Sequence, residues 1–193
     1  MTKPKIGGWQ QKSQQIAYEN PWIQVRHEEV IRPNGTEGIY GVVHFKSRAI
    51  GIIAIDDDDQ ICLVKQSRYP NNETTIEIPE GGASLDEPPL DAAKRELREE
   101  TGLTAEHWQP FMELRTSNSV TDEVAFIFLA TQLSQGPQQL EDTEDITLMK
   151  VTTDEAIAMA IKGEITDAMS VAALLKLALS RTQDAQPPNH TIK

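Results

Sequence analysis

The sequence has almost no cysteine and no apolar run of membrane length. Cys62 is the one cysteine of the 193 residues, so an internal disulfide is excluded. Its apolar neighbours favour a buried thiol over a reactive one. The longest apolar run, residues 49–55, is far too short to cross a bilayer, and no signal-peptide pattern opens the chain. We therefore expect a protein of a reducing compartment, the cytoplasm, with no membrane partner.

Basic residues are also scarce. Lys and Arg number 18 against 30 Asp and Glu, which gives a formal net charge of −12. A surface of this sign repels phosphate backbones, so nucleic-acid binding is not expected as the main task. A small anionic substrate is compatible with the charge only if cations lie between it and the protein. The length suits one domain, or one domain with a small appended piece.

Hydrophobic periodicity predicts an α+β fold with three helices. The predicted strands are residues 22–31, 38–45, 49–55, 60–65, 74–78, 111–114, 124–130 and 146–151, and the predicted helices are 88–101, 153–162 and 167–180. Residues 1–16 are expected to be loosely ordered, residues 79–82 to form a loop, and the chain from residue 181 to be disordered. We divide the chain into an N-terminal strand and hairpin segment (1–47), a main domain (48–182) and a flexible tail (183–193). The aspartates of residues 56–59 suit a solvated turn better than a calcium loop.

Three glutamates share one edge of the first predicted helix. At about 100° per residue, Glu96, Glu99 and Glu100 lie together beside the apolar stripe. Neighbouring carboxylates repel one another more strongly where water is partly excluded, so such a cluster calls for cations. Arg95, four residues before Glu99, is one; a hard divalent ion such as Mg²⁺ or Mn²⁺ is another. A glutamate-rich helix is equally typical of a solvated face, and the helix alone does not decide between the two.

The segment around this helix, GGASLDEPPLDAAKRELREETGL, resembles the Nudix box at every fixed position. The fixed residues are Gly81, Glu87, Arg95, Glu96, Glu99, Glu100 and Gly102, with apolar residues at positions 97 and 103. A weaker resemblance to the ADP-ribose pyrophosphatase branch extends from Tyr18 to Leu179, through ENPWIQV, LVKQSRYP, EIPEGG and ITDAMSVAALL. The resemblance implies the Nudix fold, an α/β/α sandwich whose mixed sheet is flanked by helices and preceded by an antiparallel hairpin.

The resemblance also implies roles for the residues of the box. The implied ligands of Mg²⁺, which Mn²⁺ could replace, are Glu96, Glu99, Glu100 and the backbone carbonyl of Glu80. Glu99 and Glu100 would take part in catalysis, and Arg95 would orient the carboxylates, with Glu87 as its other partner. The cations would shield the substrate's charge and activate water.

Further residues are implied by the same branch. The general base would be Glu144 or Glu141, unless that stretch is only an acidic surface loop. Trp22 would stack on the nucleotide base of the substrate or pack in the hairpin core. Arg68 would bind phosphate or form a surface cation–π pair, and Glu77 would bond a ribose hydroxyl.

The implied reaction is hydrolysis of the pyrophosphate bond of ADP-ribose or a related nucleoside diphosphate sugar, giving a nucleoside monophosphate and a sugar phosphate. The proline usual beyond the box in this branch is missing from residues 116–123, which broadens the expected substrate range. Dinucleoside polyphosphates or modified nucleoside triphosphates are alternative substrates. A non-catalytic nucleotide-sugar sensor is an alternative of another class. The N-terminal hairpin resembles a subunit-pairing segment, so we expect a homodimer.

Overall fold

The computed structural model describes residues 5–138 and 145–184, which form strands, helices and short connections. The strands are β1 Lys5–Ile6, β2 Trp9–Glu19, β3 Ile23–Ile31, β4 Glu37–Phe45, β5 Ser47–Ala54, β6 Gln60–Arg68, β7 Glu73–Glu77, β8 Glu80–Ser84, β9 Leu103–Leu114, β10 Ala125–Gln135 and β11 Thr147–Thr152. The helices are α1 Pro89–Thr101, α2 Thr153–Lys162 and α3 Ala168–Asp184.

The N-terminal strands β1 to β4 form one antiparallel sheet in chain order. The predicted hairpin is its β3–β4 half. The prediction that residues 1–16 are loosely ordered is wrong, because β2 pairs with β3 from Gln10 to Glu19. Trp9 packs edge-on against Tyr40, with ring centroids 5.3 Å apart. The polar composition of β2 misled the prediction, since backbone pairing with a neighbouring strand can override low hydrophobicity.

Behind this sheet lie two further sheets, with strand orders β8-β5-β10-β9 and β11-β6-β7. Strands β5 and β10 run parallel, and the other pairs are antiparallel, so the sheet is mixed. Because successive side chains of a strand point to opposite faces, β5 serves two cores. Ile50 and Ile52 pack in the cluster that includes Leu97 of α1, while Ile53 packs with Leu174 of α3. The predicted α+β sandwich is confirmed.

Helix α1 begins with proline in its first turn and ends where Gly102 adopts a left-handed conformation, φ 72°. Its buried face holds Ala93 and Leu97 and also two acidic residues, Glu96 and Glu100. Among the helices of the described residues, none combines the length and the hydropathy needed to span a bilayer.

Two other regions differ from the predictions. Residues 80–82, predicted as a loop, belong to β8, which pairs with β5. Helix α3 extends to Asp184, so the prediction that the chain is disordered from residue 181 is wrong for residues 181–184. Both terminal nitrogens of Arg181, in the last turn, donate to the carboxylate of Asp59 at 2.7 and 2.8 Å. The predicted turn at residues 56–59 is present. Most of the predicted tail lies outside the described residues.

Candidate active site

Strand β8 and helix α1 are joined by two hydrogen bonds to glutamates of the helix. The amide of Glu80 donates to Oε2 of Glu100 at 2.9 Å, and that of Gly82 donates to Oε1 of Glu96 at 3.1 Å. Glu96 and Glu100 are 7% and 2% exposed. The structure therefore brings the carboxylates of Glu96 and Glu100 against the backbone of residues 80–82.

Gly81 allows this close approach. A Cβ atom at position 81 would overlap the carboxylate of Glu96. A side chain here would displace that carboxylate from the amide of Gly82.

Arg95 binds the glutamates of the box together. Its Nη1 donates to Glu96 at 2.8 Å and to Glu99 at 2.9 Å, and its Nη2 donates to the carbonyl oxygen of Gly82 at 2.8 Å. Its Nε and Nη2 donate to the two oxygens of Glu87 at 3.2 and 3.1 Å. These bonds hold the pKa of Glu87 below its usual value. Burial raises the pKa of Glu96, and the charge of Arg95 opposes the shift.

A second arginine, Arg68, lies among carboxylates at the other end of the Glu80–Gly82 segment. It forms a two-pronged pair with the buried Glu77, with Nε 2.9 Å from Oε1, and also donates to Oε1 of Glu80. Burial opposes ionisation of Glu77, but hydrogen bonds from Arg68 and Thr75 outweigh it and lower its pKa. The predicted ribose contact at Glu77 stays a prediction. Both carboxylate oxygens of Glu77 already accept hydrogen bonds within the protein, including one from Gln66.

A cleft of about 410 Å³ unites several of the predicted residues. Trp22, Arg68 and Glu80 all line it, together with Gly81 and Gly82. The side chain of Trp22 is 71% exposed, so the alternative that it packs in the hairpin core is wrong. An exposed indole at a polar cleft can offer its face to a planar group.

Sequence reasoning missed other residues of this cleft. Asp167 lines it and also caps α3, accepting from the amide of Ser170 at 2.7 Å. An aspartate just before an apolar-periodic run is a helix-start signal that could have drawn attention to it. Glu123 lines the cleft too and accepts from Thr116, within the segment that lacks the expected proline.

Glu141 and Glu144, the predicted alternatives for the general base, lie outside the described residues. The next residue described, Asp145, accepts from the amide and hydroxyl of Ser67 at 3.0 and 2.7 Å. These bonds place the start of the segment after residue 144 beside the end of β6, next to Arg68.

The residues of this region fit a divalent cation by their chemistry. Their donor atoms are carboxylate and carbonyl oxygens, which hard cations prefer. One buried oxygen of Glu80, Oε2, has no hydrogen-bond partner among the described residues. In residues 5–138 and 145–184, no three acidic, histidine or cysteine side chains converge into a ready-made metal cluster. Arg95 holds oxygens of Glu96 and Glu99 in this structure.

The fold is an α/β/α sandwich, with the glutamate helix α1 packed on the mixed sheet beside the cleft. Residues 45–174 match the NUDIX domain, and residues 9–43 match the nucleoside diphosphate sugar hydrolase N-terminal domain. The chain therefore belongs to the Nudix hydrolase family, as the resemblance of the box predicted. Nudix hydrolases generally use a divalent metal.

Relatives along most of the chain agree with this assignment. The chain is 34% identical over 166 residues to the ADP-ribose pyrophosphatase of Bacillus subtilis (strain 168), covering 85% of this chain and 89% of that protein. It is 34% identical over 167 residues to the ADP-ribose pyrophosphatase of Mycobacterium tuberculosis, covering 84% and 80%. A crystal structure of an ADP compounds hydrolase superposes with a TM-score of 0.83 over 96% of this chain and 100% of that one; at 17% identity it shows the fold alone.

Proposed function

We propose that this protein hydrolyses the pyrophosphate bond of ADP-ribose or a related nucleoside diphosphate sugar with Mg²⁺, giving a nucleoside monophosphate and a sugar phosphate. The names of the two relatives support the substrate class. The observation that carries the proposal is the junction of β8 and α1, where amides of the 80–82 segment bond Glu96 and Glu100. That junction borders the cleft lined by Trp22 and Arg68.

The proposed metal ligands are the carboxylates of Glu96, Glu99 and Glu100 and the backbone carbonyl of Glu80. When bound there, Mg²⁺, or Mn²⁺ in its place, would neutralise diphosphate charge and lower the pKa of a bound water. Arg95 keeps the carboxylates in place, because its guanidinium bonds Glu96 and Glu99 at once.

The cleft residues bind the substrate in this proposal. Trp22 stacks on the base and Arg68 binds a phosphate oxygen, while the proposed ribose contact is Glu77. The bidentate ion pair between Arg68 and Glu77 fixes the guanidinium beside the 80–82 segment. Holding the reacting groups in position lowers the activation barrier. The net charge of −12 makes Arg68 and the metal the points at which an anionic ligand is attracted.

A substrate panel tests the reaction. The purified protein with Mg²⁺ is given ADP-ribose, other nucleoside diphosphate sugars, a dinucleoside polyphosphate and a modified nucleoside triphosphate, and products are identified by mass. We expect a nucleoside monophosphate and a sugar phosphate from the first two. Glu100→Gln should lower kcat about a hundredfold or more, while Glu106→Gln, an exposed residue of β9, should not change it. A Glu100→Gln variant with full activity would falsify the metal assignment.

The general base is proposed to be Glu144 or Glu141. Separate Glu→Gln variants distinguish them, because loss of the base lowers kcat about a hundredfold or more and removes the acidic limb of the pH–rate profile. Equal, near-normal profiles for both variants would exclude both residues.

We further propose a cytoplasmic homodimer paired through residues 1–47, beside a hydrolase domain at 48–182. The buried Cys62, whose pKa burial raises to about 11, suits a reducing compartment. The N-terminal sheet exposes Ile16, Tyr18 and Ile39, which supports pairing there. Light scattering should give twice the mass of the chain; a monomer at micromolar concentration contradicts the pairing.

A further inference from the structure

The side chain of Glu80 is buried in an unfavourable position. One of its oxygens, Oε1, accepts from Arg68, while Oε2 is shielded from solvent and has no donor among the described residues. A buried carboxylate oxygen without a partner destabilises the folded state. Such an atom calls for an explanation, and a cation that binds to it would supply the partner.

The groups around Glu80 add negative charge. The carboxylates of Asp167, Glu77 and Glu100 all act on it, and the charge of Arg68 opposes them. Arg68 is shared, since it also forms the bidentate ion pair with Glu77. Negative charge on this side of the cleft therefore favours a bound cation.

We propose that the carboxylate of Glu80 is itself a ligand of the divalent cation, with Oε2 as the donor atom, in addition to the backbone carbonyl of the same residue. The proposal rests on the proposed function, because it adds a side chain to the same metal site. The hydrogen bond from the Glu80 amide to Glu100 places the two residues side by side. Because Oε1 stays on Arg68, the carboxylate would link the cation to the phosphate-binding arginine.

Binding of Mn²⁺ to the metal-free protein, without substrate, tests this directly. Electron paramagnetic resonance measures free Mn²⁺ for the wild type, Glu80→Gln, Glu100→Gln and Glu106→Gln. We expect Glu80→Gln to weaken affinity about tenfold or more, Glu100→Gln to weaken it as well, and Glu106→Gln to leave it unchanged.

The outcomes separate this proposal from the proposed function. If Glu80→Gln binds Mn²⁺ within twofold of the wild type while Glu100→Gln binds weakly, the Glu80 side chain is not a ligand and the metal site stands. If both variants bind as the wild type does, the metal assignment fails together with the proposal.

Thermal unfolding supplies a second readout. Without metal, Glu80→Gln should melt at or above the wild-type temperature, because it removes a buried charge whose second oxygen has no partner. Its Tm should rise less than that of the wild type on addition of Mn²⁺. An equal rise overturns the proposal. Should Glu80→Gln fail to fold, Glu80→Asp keeps the charge but withdraws the oxygens, and Mn²⁺ affinity equal to the wild type would overturn the proposal in that variant.

Discussion

The two arginines at the ends of the Glu80–Gly82 segment differ in how fully their carboxylate neighbours are paired. Arg95 donates to Glu87, Glu96, Glu99 and the carbonyl of Gly82, through all three of its nitrogens. Arg68 forms a bidentate pair with Glu77 but leaves Glu80 with a buried oxygen that has no donor in residues 5–138 and 145–184. The network around Arg95 holds the carboxylates of the box in place. In the network around Arg68, the oxygen of Glu80 without a donor is the atom at which we propose that the cation binds.

Breaking the network around Arg95 should have the largest effect. Arg95→Gln leaves Glu87, Glu96 and Glu99 without their shared cation. We expect the free energy of unfolding to fall by about 3 kcal/mol and kcat to fall about a hundredfold. Urea denaturation and steady-state kinetics measure the two effects. Arg115→Gln, which breaks an exposed pair, is the control and should change neither; an Arg95→Gln variant equal to that control contradicts the supporting role.

Breaking the network around Arg68 should lower the free energy of unfolding by a smaller amount. Arg68→Gln removes the partner of the buried Glu77 and should lower the free energy of unfolding by about 2 kcal/mol. Adding Glu77→Gln should recover part of this loss, since Glu77 is then no longer a buried charge without its partner, whereas Glu80 still lacks its donor Arg68. A double variant as unstable as the single one contradicts this explanation.

The same pair predicts a pH dependence. Arg68 lowers the pKa of Glu77, so the stabilisation is present above the usual glutamate pKa and is lost as pH falls through the lowered value. The stability gap between the wild type and Arg68→Gln should therefore shrink in acid. A gap that stays constant to low pH would show that the ion pair is not its source.

Trp22 lines the same cleft as Arg68, and its variants test whether its exposed ring binds the substrate. Because its side chain is 71% exposed, Trp22→Ala should change stability by less than about 0.5 kcal/mol. Loss of stacking should raise KM for ADP-ribose roughly tenfold, and Trp22→Phe should keep KM near the wild-type value. An unchanged KM in Trp22→Ala excludes stacking.

The smallest effect is expected far from the cleft. Arg181→Gln breaks the pair with Asp59, which is half exposed, and should cost about 1 kcal/mol or less. Arg181 lowers the pKa of Asp59, so this stabilisation is present above the usual aspartate pKa and is lost as pH falls through the lowered value. Urea midpoints at neutral and acid pH measure it; a larger loss than for Arg68→Gln would reverse the ranking.

Local signals predicted much of the fold. The helix predicted over 153–162 has those bounds in the structure, because Thr152 and Glu155 form a capping box and Gly163 ends the helix. The strand β2 was missed, because its polar residues carry no signal and its order comes from pairing with β1 and β3. The parallel pairing of β5 with β10 joins strands distant in the chain, which periodicity cannot reveal.

The sequence by itself determined the family and the helical edge shared by Glu96, Glu99 and Glu100, because residue spacing on a helix is a local property. Only the tertiary structure decided which side chains surround Arg68, since Glu77, Glu80 and Asp167 come from separate elements. Burial, and with it the unsatisfied oxygen of Glu80, arises when those elements pack and exclude water.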